Sequence, residues 1–202
     1  MASAKRRNFA ALICRLLPAR LARRFVRRQD GAAAVEFALV AAPFLALLFA
    51  ILETAFVFFA GQALEAAAAD TARLIMTGQA QTTSYGTSQP GSYSQDDFKQ
   101  AVCARAAGLF DCASMSVDVQ SYATFATVNN TPPVANGVFD STKMKYALCG
   151  PGSIEVVTLY YPWPIYVSLL NTSLTNLNGS KRLLVATSVF RNEPFGPAVP
   201  CT

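Results

Sequence analysis

An acid is out of place at Glu36, which stands in the run GAAAVEF (residues 31–37) at the start of a stretch that is apolar from Ala32 to Ala60 except for Glu36, Glu53 and Thr54. An ionisable group inside such a segment costs about 2.5 to 3.5 kcal/mol at mid-helix on insertion scales, so it is a functional candidate, with a place at the headgroup level as the alternative. Its spacing from Gly31 suggests the chemistry. Cleavage after Gly31 would leave a free α-amine on Ala32, and Glu36, four residues on, would lie on the same helix face. A positive terminus and a carboxylate would then meet at one membrane depth, within one chain or between neighbours. Phe37 follows the acid directly.

A second constellation is Cys103, Cys112, Cys149 and Cys201, with Cys14 apart from them near the N-terminus. An even number of cysteines in an oxidising compartment implies two disulfides with three connectivities. We expect Cys103 with Cys112, closing the end of a helix, and Cys149 with Cys201, pinning the C-terminus near a strand. Zinc would be the competing use. The chain has no histidine and no CxxC spacing, so neither a metal site nor a cofactor is expected. Without histidine the commonest general base is missing, and no nucleophile elbow, phosphate loop or converging set of carboxylates is seen. Asp96 and Asp97 suit a helix start. A structural or interaction protein is expected, not an enzyme.

These residues need elements to hold them. At about 1.5 Å per residue, Ala32 to Ala60 would span roughly 43 Å against a hydrocarbon core of about 30 Å, and it is apolar on every face. A cleavable secretory signal would have an apolar region of only about 7 to 15 residues. Nine Lys or Arg precede the segment in residues 1–31 against Asp30 alone, a net of +8, and the rest of the chain sums to −3. Basic residues beside a span hold that flank in the cytoplasm, so they read as a membrane address and not as a nucleic-acid surface. The expected topology is single-pass, N-terminus inside and C-terminal domain outside. Pro43 lies inside the span, where a kink is expected in preference to a break. Glu53 falls near the outer leaflet as an interfacial residue, with packing against another helix as its alternative role.

Beyond Gly61 the pattern becomes amphipathic through Leu64, Ala67, Ala68, Thr71, Leu74 and Ile75, extending the helix to about Thr77 with Gly78 as its stop. That Ala-rich face suits packing on the chain's own sheet, with bundling against other subunits as the alternative. Gln79 to Tyr93 reads as a flexible connection, and Ser94 with Asp97 as the capping box of a second helix through Phe98, Val102, Ala106 and Leu109. Strands are expected in Met115–Phe125, Ile154–Tyr161 and Leu183–Phe190, with a turn-forming segment over Asn129–Gly137. Trp163, Tyr160, Tyr161 and Tyr166 are expected in core packing, with a contact surface or the lipid headgroups as alternatives. The fold class is α+β: a long N-terminal membrane-spanning helix, then a small domain with an antiparallel sheet of about three or four strands and a second helix.

The basic leader ending in Gly31, the apolar segment, Glu36 at the fifth position after Gly31 and the aromatic Phe37 resemble a type IV prepilin cleavage signal. With GAAAVEFALVAAPF, the Leu/Phe-rich continuation and the later FRNEPF, the chain resembles the TadE-like proteins of tight-adherence pilus assembly. The resemblance implies a pilin-like domain and a minor pilin, or pseudopilin, acting in pilus biogenesis and surface adhesion. It implies a prepilin peptidase, other pilins and pilus assembly subunits, and the lipid bilayer of the inner membrane as partners. Gly31 would be the last leader residue, Ala32 the first mature one, and Glu36 the residue needed for processing or docking. The expected divisions are a leader over 1–31, a span over 32–60, a helix continuation over 61–78 and a disulfide-bonded domain over 79–202. An unprocessed membrane-anchored binding or adhesion protein is the alternative.

Overall fold

The computed structural model describes residues 31–87, 89–106, 108–167 and 174–196. The basic leader, Cys14 and Cys201 lie outside the described residues. Helix α1 runs unbroken from Ala32 to Met76 through Pro43, and it is the one described helix long and apolar enough to cross a membrane. The chain divides into two compact units at Phe49/Ala50. In the first, Val35, Phe37, Leu39, Val40 and Phe44 are all more than 60 % exposed, so among the described residues no protein face covers this part of the helix.

In the second unit α1 acquires a buried stripe: Val57, Ala60, Leu64, Ala67, Ala68, Thr71, Ala72 and Ile75. Steps of three and four keep these residues on one face. Most are small, and they share one buried cluster with the residues of the sheet. Thr71 is polar and fully buried, but its hydroxyl donates to the Ala67 carbonyl at 2.7 Å, so no orphan is left. The stripe begins at Val57, within the apolar run.

The facing sheet is antiparallel, with β1 (Ser116–Tyr122) and β5 (Lys181–Arg191) flanking a central β4 (Ile154–Pro164). Val117, Val119, Val157, Leu159, Tyr161, Leu184 and Ala186 join the α1 stripe in the core. The register aligns them, pairing Val117 with Leu159 and Leu159 with Ala186. Helix α3 (Gln95–Arg105) adds Phe98 and Val102. The other face of β4 is covered too, Tyr160 by Phe139 at 5.2 Å between ring centroids, so β4 is buried continuously from Ile154 to Tyr161 instead of alternating. The segment 145–147 adds a fourth, partial strand through a parallel bridge of Tyr146 to Val119.

Two connections are more ordered than the sequence suggests. Gln79–Tyr93, expected as a flexible connection, contains the short helix α2 (Gln79–Thr82), a bridge between Thr83 and Pro90, and an edge-on Tyr85–Tyr93 pair at 5.4 Å. Its anchor is Ala80, fully buried with its carbonyl accepting from Tyr93 N–H at 2.8 Å. The Asn129–Gly137 turn continues into a hairpin of β2 (Val134–Ala135) and β3 (Val138–Phe139). Asn136 and Gly137 hold positive φ of 52° and 74°, as a tight two-residue turn requires.

The helix stop is as expected, and sterically strict. Gly78 has φ 80°, and a Cβ there would lie 2.3 Å from the Phe195 ring. Gly86 has a similar φ of 73° with nothing within 4 Å of its Cβ position. Gly78→Ala should therefore cost about 2 to 4 kcal/mol in thermal or denaturant unfolding, and Gly86→Ala only the conformational part, about 1 to 2 kcal/mol.

Candidate functional site

Among the sequence-selected residues, the junction lies at the very start of α1. Gly31 precedes the first helical residue, Ala32, and has open space around its Cβ position. Ala32 and Glu36, four apart on a continuous helix, share a face. Glu36 is exposed and, among the described residues, has no hydrogen-bond or ion-pair partner. Phe37 is 75 % exposed. The junction is thus a stretch of helix presenting a carboxylate and an aromatic ring that are exposed among the described residues.

Glu53 is different. Its carboxylate accepts from two successive backbone N–H groups, those of Tyr166 and Val167, the latter at 2.8 Å, immediately beyond β4. One carboxylate satisfying two adjacent loop amides is a charge-assisted clamp. It fixes the end of the sheet to the helix. At the other end, the Met76 carbonyl accepts from Glu193 N–H at 2.9 Å.

The aromatic group splits between places. Tyr161 and Trp163 pack around Phe110 at centroid distances of 4.9 Å and 6.0 Å, and Tyr161 Oη accepts from Asp111 N–H at 3.2 Å. Tyr160 faces the opposite side of the sheet. Tyr166 is 84 % exposed and joins neither.

Cys103 and Cys112 form the expected disulfide, with Cα atoms 5.9 Å apart, tying the end of α3 to the turn before β1. Cys149 is disulfide-bonded as well; its expected partner, Cys201, lies outside the described residues. Ser94 and Asp97 make the reciprocal capping box at the start of α3, and the Ser94 hydrogen bonds lower the Asp97 carboxyl from its ordinary range. No group of three or more potential metal ligands is found among the described residues.

The sequence reading missed a buried polar cluster around Cys149. Its N–H donates to Glu155 Oε1 at 2.9 Å, and its carbonyl accepts from Gln81 Nε2 at 3.2 Å and Asn192 Nδ2 at 2.9 Å. Gln81 also donates to the Ile75 carbonyl at 3.1 Å, joining the cluster to the end of α1. Glu155, Gln81 and Asn192 are all buried, and Glu155 Oε2, Gln81 Oε1 and Asn192 Oδ1 have no hydrogen-bond partner among the described residues. The signal was an acid on the core-facing parity of β4, alongside Val157 and Leu159.

Burial pushes the Glu155 carboxyl up to about 7, with the Cys149 N–H pulling the other way. The folded state therefore binds the proton more tightly than the unfolded one, whose carboxyl titrates near 4.5. The stabilising contribution is complete below that value and is lost as pH rises through 7. Denaturant unfolding should show stability falling by on the order of 3 kcal/mol across this window, and Glu155→Gln should flatten the slope.

One helix long and apolar enough to cross a membrane, whose later part is buried against a disulfide-bonded α+β domain, defines the class. Residues 31–73 match the TadE-like protein family, so the junction, the apolar run and most of the buried stripe form a TadE-like segment. No curated protein and no solved structure matches the chain.

Proposed function

We propose that this chain is a minor pilin, or pseudopilin, of a tight-adherence type IV pilus, acting in pilus biogenesis and surface adhesion. In this reading the basic leader stays in the cytoplasm, the domain lies outside the inner membrane, and a prepilin peptidase cuts after Gly31. The observation that carries it is the uncovered GAAAVEF junction at the first turn of a helix inside a TadE-like segment.

The physical argument is one of charge. Cutting after Gly31 creates an α-ammonium on Ala32 at the N-terminal end of a helix, where the positive end of the helix dipole already resides. That new charge is unfavourable in an apolar layer unless an anion is near. Glu36 supplies one, either to its own Ala32 at four residues' distance or to the Ala32 of an adjoining subunit. An intermolecular pairing of that kind would set the register of one subunit against the next. Other pilins and pilus assembly subunits are the partners implied, and the role is structural, with no catalytic step assigned.

N-terminal sequencing of protein from cells with an active prepilin peptidase should begin at Ala32. An intact Met1 terminus would contradict this reading and favour an unprocessed membrane-anchored binding protein. Gly31→Ala should abolish cleavage, and Glu36→Ala should block maturation or assembly while leaving the domain's unfolding midpoint unchanged.

A further inference from the structure

Glu53 belongs to the apolar run, yet both its carboxylate oxygens are taken by the backbone of a loop far along the chain, at Tyr166 and Val167. Around Glu53 on the same helix, Ile51, Leu52 and Phe56 are 57 %, 45 % and 58 % exposed. The loop is therefore held at the level of an exposed apolar girdle. Among the described residues Tyr166 is the most exposed large apolar or aromatic side chain, at 84 %. Ile165 N–H donates to the Ser180 carbonyl at 2.8 Å, and β4 and β5 pair Trp163 with Arg182 and Pro164 with Lys181, so this end of the sheet sets Lys and Arg near Tyr166, while Trp163 packs on Phe110. Those are the residue types that settle at a bilayer's polar boundary, where an amphipathic ring has apolar and wet surroundings at once and a long basic side chain reaches phosphate.

We propose that this end of the domain rests on the bilayer surface, with Tyr166 seated among the lipid headgroups and Glu53 fixing its depth. The inference depends on α1 being a membrane anchor. A second copy of the chain is the rival occupant, because its helix could cover the same girdle. The lipid is favoured by the residue types at the sheet end and by the continuity of this patch with the apolar helix surface around Glu53. The clamp then has a purpose beyond packing: it sets how the domain stands on the membrane before any subunit joins it.

The test uses the full chain in vesicles of phosphatidylcholine and phosphatidylglycerol, at about one copy per vesicle, with bromine placed on the lipid chains either near the headgroup or near the chain end. Trp163, the chain's only tryptophan, is replaced by phenylalanine, and a reporter is introduced by Tyr166→Trp or, separately, by Phe44→Trp. The residue 166 reporter should lose about half of its emission to headgroup-proximal bromine and little to chain-end bromine, as befits a ring at the polar boundary. The residue 44 reporter should respond to chain-end bromine. Adding Glu53→Ala should release the residue 166 reporter and leave residue 44 unchanged. If residue 44 is quenched while residue 166 is untouched by either lipid, the inference is overturned and the anchor stands. If neither is quenched, the anchor reading itself falls. Should Trp163→Phe fail to fold, the same reporters are read as difference spectra with Trp163 retained.

Discussion

One stripe of small side chains on α1 governs the rest of the fold. Ala60, Ala67, Ala68 and Ala72, with Leu64 and Ile75 between them, are buried in the same core cluster as the inner face of the sheet. A larger residue at any of the alanines would push the sheet outward and open voids beside its neighbours. The helix is therefore half a transmembrane element by composition and half a core wall. Its apolar run continues past the point where the domain takes hold of it, because Val57 and Ala60 are buried in protein.

Length matching follows from that stripe. From Glu53 to Met76 the helix rises about 35 Å, and the eleven residues of β4 cover about 36 Å. The two elements run side by side and are tied at each end, by the Glu53 clamp at Tyr166 and Val167 and by the Met76, Gln81 and Gly78 contacts at the other. A sheet held this way has little freedom to slide, since a one-residue slip would turn the core-facing Val157 and Leu159 outward. The two connections that reinforce the far end, around Ala80 and Cys149, bury polar groups to do so. Glu155 is the cost of that arrangement, a carboxylate that folds most comfortably with its proton on.

Much of this was legible in the sequence wherever a local rule decided the outcome. The Ser94–Asp97 capping box, the Gly78 stop, the Cys103–Cys112 pairing and the three strands each depend on neighbours a few residues away or on a simple period. Other features depend on partners distant in sequence, and there the sequence was silent or misleading. Gln79–Tyr93 lacks large apolar residues and reads as loose, but Ala80 and Gln81 are held by residues near 93 and 149. Glu155 sits among β-formers whose parity says buried, and its tolerance there comes from the Cys149 amide and a retained proton. Glu53 could be placed near an interface by counting, but not assigned to Tyr166 and Val167, 113 and 114 residues away.

For a TadE-like segment this economy has a functional reading: the helix that would carry the processing junction is also the element on which the folded domain is built, so the two cannot be exchanged independently. The most direct measurement is amide hydrogen exchange along Ile154–Pro164 in the full chain reconstituted in lipid, comparing the natural sequence with Ala68→Asp, which puts a charge into the fully packed stripe. If α1 is the wall of the core, protection should collapse across the whole of β4, with the Cys103–Cys112 bond still intact. Protection that survives in β4 would show a sheet domain that folds without the helix, and would contradict the account.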